Sequence, residues 1–213
     1  AQYEAYRNAC IQSNQALYRQ HFPETGCVIM ASGLGKRFGG NKLMADFHGK
    51  PLICAILDAT EGIFPKRVVV TRHEAVARLC QERDIQTVLH DLPHRSDTVR
   101  LGLEALPGID RCMFAMADQP LLRRETVAML LRAWQEHPDS IVRPIHEDAQ
   151  GSPVLFPAWA FPELRNLPEG KGGGFVLRNH PREVLGISVS DPWELADADT
   201  PETLELLKGL YHD

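Results

Sequence analysis

The sequence of 213 residues has no apolar run long enough to cross a bilayer and no long run of lysine and arginine. A transmembrane helix needs about 20 mostly apolar residues, and binding to a nucleic-acid polymer usually requires concentrated positive charge. Here 23 basic and 28 acidic side chains give a net charge of −5. We therefore expect neither a membrane nor a nucleic-acid polymer as partner, and any bound polyanion should be small and locally neutralised.

Cysteine is present without the spacing that would give it a structural role. The five cysteines form no C-x-x-C pair and lie mostly in apolar stretches, where a thiol packs as a small hydrophobic group. A disulfide framework or a zinc site is therefore not expected. The segment Ala1–Tyr18 is polar and lacks the apolar core of a signal peptide, so the expected compartment is the cytoplasm.

Short apolar runs alternate with amphipathic stretches from Gly26 onward, which is typical of a mostly parallel sheet wrapped by helices. The predicted strands are 27–31, 67–71, 85–89, 112–117, 140–143, 153–156 and 184–187. The predicted helices lie near 51–61, 73–83, 96–106, 123–136, 172–179 and 201–210. Residues 1–22 predict a further helix that ends before Pro23. The expected organisation is an N-terminal helical extension, 1–25, followed by one domain, 26–213.

A glycine-rich segment with three cations follows the first predicted strand. Its glycines and cations are Gly33, Gly35, Gly39, Gly40, Lys36, Arg37 and Lys42. Glycine has no Cβ and accepts positive φ, so backbone N–H groups can approach an anion closely. The spacing fits neither the dinucleotide fingerprint G-x-G-x-x-G nor the Walker A motif. We interpret the segment as a phosphate-binding loop. The alternative, that the glycines only turn the chain and the cations are solvated, stays open.

Acidic residues stand where this loop would need a metal. Asp118 directly follows a predicted strand, and open α/β sheets bind ligands at the carboxyl ends of their strands. Mg²⁺ usually takes only one or two protein carboxylates, so Asp118 is a candidate ligand, although it could instead cap the next helix. Asp197 and Asp199 precede the last predicted helix, and in an extended segment they would point to the same side. Capping accounts for Asp199 or Thr200, so Asp197 is our preferred second ligand, with Asp199 as the alternative.

Four segments together resemble the MobA-like NTP transferases, in particular the branch of molybdenum cofactor cytidylyltransferases and molybdenum-hydroxylase accessory proteins. They are Ala31–Gly39 with Lys42, Ala117–Pro120, Gly151–Phe156 and Asp197–Glu202. The resemblance implies a three-layer, Rossmann-like α/β fold with a mostly parallel mixed sheet of about seven strands. It also implies Mg²⁺-dependent transfer of a nucleotidyl group, CMP from CTP above all, to a phosphate-bearing acceptor such as molybdopterin. Pyrophosphate would be released.

The resemblance assigns roles to individual residues. Arg37 and Lys42 would contact the phosphates and Asp118 would bind Mg²⁺, and these three form the expected catalytic set. The expected nucleotide-binding residues are Ala31, Ser32, Gly33, Leu34, Gly35, Ser96 and Thr98. Ser152 and Lys171 are the candidates for the acceptor. The family often has an Asp-Lys-Gly-x-Arg element where this chain has Glu169–Gly174, which keeps the lysine and lacks the arginine.

Two other functions remain open. One is transfer to a sugar phosphate or polyol phosphate at the same site. The other is a non-catalytic accessory protein that binds a nucleotide and hands a cofactor to a molybdoenzyme partner. For transfer to a phosphate no catalytic histidine is expected, because an acceptor phosphate is already anionic near neutral pH. Such a reaction needs alignment of two polyanions and neutralisation of their charge.

Overall fold

The computed structural model describes residues 24–211, so the helix predicted over residues 1–22 lies outside the described residues. The strands are β1 (Thr25–Ala31), β2 (Asp46–Phe47), β3 (Lys50–Pro51), β4 (Lys66–Thr71), β5 (Gln86–Leu89), β6 (Arg111–Met116), β7 (Ile141–His146), β8 (Ala149–Gln150), β9 (Val154–Pro157) and β10 (Val184–Ser188). All seven predicted strands are confirmed, with ends that shift by up to three residues.

The α-helices alternate with the strands along the chain. They are α1 (Cys54–Ala59), α2 (Glu74–Glu82), α3 (Arg95–Glu104), α4 (Arg124–Glu136), α5 (Phe161–Arg165), α6 (Gly174–Asn179) and α7 (Pro201–Leu210). Three 3₁₀ turns cover Lys42–Met44, Ala158–Ala160 and Pro192–Leu195. The six predicted helices are confirmed. The last begins at the predicted proline because the Thr200 side chain accepts a hydrogen bond from Thr203 N, which caps the helix.

One mixed sheet of eight strands organises the molecule. Its order is β10-β7-β9-β6-β1-β4-β5, with β8 paired to β7. β1 is parallel to both β4 and β6, and β9 runs antiparallel to β6 and β7. The sheet is therefore mostly parallel at its centre, as predicted. In such a sheet the carboxyl ends of β1, β4 and β6 meet at one edge, which places Ala31, Thr71 and Met116 side by side.

Helices cover both faces of the sheet and give the three predicted layers. Alternate residues of β1 explain the arrangement: Ile29 belongs to a core with α1, α2 and α4, whereas Val28 belongs to a core with α3, α5 and α6. Gly102 of α3 lets that helix approach closely, because a Cβ there would overlap the Val28 side chain. A smaller core joins α7 to the β2–β3 hairpin through residues such as Phe47.

The cysteines of the described residues pack in the core, as their apolar surroundings in the sequence predict. The four described cysteines, Cys27, Cys54, Cys80 and Cys112, are free and buried. Burial raises the pKa of Cys27 to about 12, so this thiol stays protonated and packs as an apolar group. Among residues 24–211, no helix has both the length and the apolar character needed to span a bilayer.

Candidate active site

The glycine-rich loop leaves the end of β1 and folds back on itself. Phe38 N and Gly39 N both donate to the carbonyl oxygen of Gly35, at 2.9 and 3.0 Å. Gly35 has φ +60°, and a Cβ at this position would overlap the carbonyl oxygen of Gly40. Both the backbone conformation and the close approach therefore require glycine here. The loop has the compact, backbone-exposing form that an anion-binding segment needs.

Side chains from the neighbouring strand ends hold the start of this loop. Ser32 Oγ donates to Val70 O at 3.1 Å and lies 2.8 Å from His90 Nε2. His73 Nε2 lies 2.8 Å from the Gly33 carbonyl oxygen, and Thr71 Oγ1 donates to Ala31 O at 2.9 Å. These bonds fix the peptide groups of the loop relative to β4 and β5. The sequence did not reveal this role of His73 and His90, since it depends on strands far apart in the chain.

His90 is held in its neutral form. Burial lowers its pKa, and the nearby Arg72 guanidinium lowers it further. The Ser32 hydroxyl proton is directed to Val70 O, so His90 Nε2 carries the hydrogen and donates to Ser32 Oγ. His90 is thus part of the support for the loop.

Two cations and two carboxylates form what we call the charge cluster: Arg37, Lys42, Asp118 and Asp199. Lys42 Nζ lies 2.5 Å from Asp118 Oδ2 and 2.9 Å from Asp199 Oδ1. Arg37 donates to Asp199 Oδ2 at 2.6 Å. Lys42 and Asp118 are buried, whereas the Arg37 side chain is 72% exposed. The cluster brings together all three residues expected to be catalytic.

Ion pairing keeps Lys42 and Asp199 charged. Burial alone would lower the pKa of Lys42, but hydrogen bonds to Asp118 and Asp199 outweigh burial and raise it. The hydrogen bond from Lys42 lowers the pKa of Asp199, and the charge of Arg37 acts in the same direction. Both residues therefore stay ionised at neutral pH.

Asp118 and the nearby Asp197 are the carboxylates that could bind a divalent cation. Asp118 Oδ1 is buried and has no hydrogen-bond partner among the described residues. Burial, and next the charge of Asp118, raise the pKa of Asp197 to about 6. Within residues 24–211, no group of three or more histidine, cysteine or acidic side chains could hold a metal. Two carboxylates completed by water and substrate phosphates are the usual way Mg²⁺ binds, so these residues fit it.

Hydrogen bonds hold the segment that carries Asp197 and Asp199 against the end of β6. Ala198 N donates to Asp118 O at 2.8 Å, and Gln119 Nε2 donates to Leu195 O at 3.2 Å. Asp199 N donates to Asp197 O at 3.0 Å, so the backbone turns tightly between the two carboxylates. The segment is not extended, and the expectation that both would point to the same side on that ground is wrong. Asp199 reaches the cations, and Asp197 lies close enough to Asp118 to feel its charge.

A buried carboxylate anchors the same segment. Glu194 is 3% exposed, and its Oε2 accepts hydrogen bonds from Thr126 Oγ1 at 2.5 Å and Arg123 N at 3.1 Å. Arg123 also pairs with Asp191 at 3.0 Å. Because Arg123 N belongs to the start of α4, Glu194 supplies the N-terminal cap that this helix lacks in its own sequence. The metal-binding candidates are thus held between β6 and α4.

The loop and the charge cluster line one cleft of about 420 Å³. Five cationic side chains line it, namely Lys36, Arg37, Lys42, Arg72 and Arg95, against the carboxylates of Asp118 and Asp199. The lining therefore carries a formal charge of +3, from five positive and two negative groups, in a chain of net charge −5. A local positive field of this kind favours a small polyanion.

Most of the predicted site residues meet in this cleft. The lining includes Ala31, Ser32, Gly33, Leu34, Gly35, Arg37, Lys42, Thr98 and Asp118. Ser96 lies in the first turn of α3, two residues before Thr98, and is half-buried. Lys171 is exposed in the loop before α6, where a Cβ at Gly172 would lie 3.0 Å from Arg95. This loop therefore borders the cleft, whereas Ser152 lies two residues before β9, outside the lining.

Comparison with known proteins identifies the family of the chain. Residues 27–184 match the model of the MobA-like NTP transferase domain, which spans β1 through the start of β10. The chain belongs to this family, as its motifs indicated, and carries its nucleotidyltransferase domain. The cleft at the carboxyl ends of β1, β4 and β6 is therefore the site where a nucleotidyltransferase of this fold is expected to work.

Two of the proteins similar to this chain are named for different acceptors. The molybdenum cofactor cytidylyltransferase of Escherichia coli is 22% identical over 198 residues, covering 87% of this chain and 96% of the relative. The 3-deoxy-manno-octulosonate cytidylyltransferase of Helicobacter pylori is 30% identical over 213 aligned positions, covering 87% and 84%. The bifunctional protein GlmU of Desulfitobacterium hafniense is 27% identical over 173 residues, but this chain spans only 38% of its length.

A solved structure shows the same fold. The crystal structure of Rv0371c from Mycobacterium tuberculosis superimposes with a TM-score of 0.74 at 22% identity. The match covers 87% of this chain and 98% of that one. At this identity the likeness establishes the fold alone, and the α/β architecture with its mixed sheet is confirmed by it.

Proposed function

We propose that the protein transfers CMP from CTP to a phosphate-bearing acceptor of the molybdopterin type, in a Mg²⁺-dependent reaction that releases pyrophosphate. The observation that carries this proposal is the charge cluster. It places two cations and a buried carboxylate with an unpartnered oxygen beside the glycine-rich loop, in a chain of the NTP transferase family. This is the equipment that nucleotidyl transfer needs: phosphate binding, metal binding and charge neutralisation.

Cytidine is our first choice of base because of the relatives. The Escherichia coli and Helicobacter pylori proteins are both named cytidylyltransferases. A solved CMP:2-keto-3-deoxy-manno-octonic acid synthetase in complex with CTP shares the fold with a TM-score of 0.70 at 16% identity. A probable molybdenum cofactor guanylyltransferase of Aquifex aeolicus is 24% identical over 111 residues, which makes GTP the main competitor.

A phosphate acceptor suits the state of the carboxylates in the cleft. Asp118 and Asp199 line it, and both are ion-paired with Lys42. An ion-paired carboxylate is a poor general base, which favours an acceptor that is already ionised over a sugar hydroxyl. Lys171 in the neighbouring loop and Ser152 just before β9 are the side chains we propose for acceptor contacts.

The residues divide the work of the transfer. In this proposal the backbone N–H groups of the Ala31–Gly35 segment bind the nucleotide, and Ser96 and Thr98 at the start of α3 contact it from the other wall. Lys42 and Arg37 stabilise the charge that develops on the departing pyrophosphate. Asp118 and Asp197 hold Mg²⁺, which when bound supplies charge neutralisation and polarises a phosphoryl oxygen. A manganese complex of the Mycobacterium tuberculosis protein shares the fold with a TM-score of 0.71 at 20% identity, which supports a divalent metal.

Pyrophosphate release with defined substrates tests the proposal. The full chain would be incubated with Mg²⁺, molybdopterin and each of CTP, GTP, ATP and UTP in turn. We expect release with CTP and loss of release when molybdopterin is omitted. Release with a sugar phosphate or polyol phosphate alone would select the alternative acceptor class. Nucleotide binding without release under any condition would favour a non-catalytic accessory protein and contradict the proposed function.

The proposed function also suggests a cellular compartment and a role for the N-terminal segment. A cofactor of this kind would be handed to a molybdoenzyme partner in the cytoplasm. We propose that the transferase domain begins at β1, and that the segment before it is an extension available for contact with that partner.

A further inference from the structure

We propose that Asp199 acts as a stand-in for phosphate: before nucleotide binds it occupies Lys42 and Arg37, and it then competes with the triphosphate and with pyrophosphate for these two cations. This inference rests on the proposed function only in assuming that the cleft binds phosphate groups. It makes Asp199 a positioning residue that acts through Lys42 and Arg37, in place of the alternative role as a metal ligand.

The two oxygens of the Asp199 carboxylate pair with two different cations. Its Oδ1 accepts from Lys42 Nζ at 2.9 Å, and its Oδ2 accepts from Arg37 at 2.6 Å. One anion therefore bridges both cations with one oxygen each. A phosphate group presents the same arrangement of negatively charged oxygens to lysine and arginine. Both oxygens of Asp199 are thus paired with cations, whereas Asp118 Oδ1 is a buried carboxylate oxygen that has no hydrogen-bond partner within residues 24–211.

Burial also differs along the cluster. The side chains of Lys42 and Asp118 are 10% and 13% exposed, whereas those of Asp199 and Arg37 are 34% and 72% exposed. Lys42 is therefore fixed at the floor of the cleft by Asp118. The Arg37–Asp199 pair lies in solvent, where an ion pair contributes little net stability. Arg37 can leave Asp199 for a phosphate at small cost, while Lys42 needs only to exchange one of its two partners.

The arrangement has two consequences for the reaction. In the empty site Asp199 keeps the like charges of Lys42 and Arg37 together, and an incoming phosphate group must displace it. After transfer, it offers the same cations an alternative partner when pyrophosphate must leave. Removing its charge should therefore tighten pyrophosphate binding, because the competitor is lost.

Calorimetric titration of inorganic pyrophosphate in EDTA tests the competition without metal. Asp199→Asn should bind pyrophosphate about 3- to 10-fold more tightly than the unmodified protein, the range expected for losing exposed and half-buried ion-pair competitors. In the Lys42→Met background the same substitution should have less than half of this effect. Unchanged or weaker binding by Asp199→Asn would overturn the proposal. So would an unmodified protein that does not bind pyrophosphate at millimolar concentration.

A second titration separates this role from metal binding. A metal ligand would leave metal-free pyrophosphate affinity unchanged on substitution and would weaken binding only when Mg²⁺ is added. Asp199→Ser should repeat the gain, and thermal melting of each variant shows whether it is folded. Tighter pyrophosphate binding in a protein that transfers no CMP would refute the proposed function and leave this inference intact.

Discussion

The nucleotide side and the acceptor side of the cleft differ in how firmly their candidate residues are held. At the ends of β1 and β6, Ser32, Lys42 and Asp118 each have a named hydrogen-bond or ion-pair partner within 3.1 Å. On the acceptor side the Lys171 side chain is exposed, and the backbone N of Lys171 donates to Pro168 O of its own loop at 3.0 Å. The site that we propose for the triphosphate is thus ordered before any substrate binds.

This contrast follows from what each side must recognise. Every NTP brings the same chain of phosphates, so a rigid loop and fixed charges can be built for it in advance. Acceptors differ among relatives, as the names of the Escherichia coli and Helicobacter pylori proteins show. We therefore expect substitutions on the nucleotide side to act strongly on turnover, and substitutions on the acceptor side to act mainly on acceptor affinity.

The largest effect should come from the two buried charges. Asp118→Asn and Lys42→Met should each lower kcat by about 10²- to 10³-fold, because each removes a preorganised charge from the reacting phosphates. Pyrophosphate release with saturating CTP, acceptor and Mg²⁺ measures this. Lys50→Ala, at an exposed lysine outside the cleft lining, is the matched control and should stay near normal. Near-normal turnover of both site variants would remove the charge cluster from the mechanism.

Loop geometry should matter next. Gly35→Ala places a Cβ at φ +60° against the Gly40 carbonyl, and the positive φ alone costs about 1–3 kcal/mol. We expect the KM for CTP to rise at least about 10-fold in steady-state kinetics, since the loop must distort. At Gly40 an added Cβ has no neighbour within 4 Å, so Gly40→Ala is the control. Equal damage from both variants would mean that loop conformation is not the cause.

On the acceptor side the effect should be smaller and of a different kind. Lys171→Ala should raise the KM for the acceptor about 3- to 10-fold and leave the KM for CTP unchanged, because an exposed charge contributes modestly to binding. Lys66 lies at the opposite edge of the sheet, at the start of β4. The control variant Lys66→Ala should therefore alter neither KM. An increase in the KM for CTP with Lys171→Ala would break the division of the cleft into two sides.

The smallest effect should appear in stability. Burial, and next the charge of Asp118, raise the pKa of Asp197 from its ordinary value of 3.8 to about 6, so the folded state disfavours the charged form. This cost is present at neutral pH and is relieved as pH falls through about 6 towards 3.8. Because the residue is partly exposed, we expect Asp197→Asn to add only about 1 kcal/mol, or 2–4 °C in Tm, at pH 7.5 in EDTA.

Thermal melting at two pH values checks the sign of this effect. The advantage of Asp197→Asn should shrink between pH 7.5 and pH 4.5, where the carboxyl group takes up its proton. A lower Tm for the variant, or an advantage that does not depend on pH, would contradict the raised pKa of Asp197.

Much of the fold could be predicted because its strands are long enough to show an apolar run. Seven strands and six helices appear where the sequence indicates them. The hairpin β2–β3 and strand β8 were missed because two residues cannot display a period. Helix α5 has five residues and follows a 3₁₀ turn, so it lacks the length of an amphipathic repeat.

The site could be predicted where a backbone requirement marks the sequence. The turn at Gly35 requires glycine, and Asp118 directly follows an apolar strand, so both can be recognised in the sequence. Which of Asp197 and Asp199 meets the cations depends on the Ala198 N to Asp118 O hydrogen bond, which joins segments that are 80 residues apart. Contacts of this kind, like those of His73 and His90 with the loop, exist only after the sheet has formed.

A crystal structure with CTP and Mg²⁺ bound tests the central claim most directly. We expect the triphosphate to lie against the Gly33–Gly35 backbone. Arg37 should have moved from Asp199 to a phosphate oxygen, and Lys42 should contact both Asp118 and the phosphates. A nucleotide bound at another edge of the sheet, or an Arg37–Asp199 pair that persists beside the bound triphosphate, would contradict it.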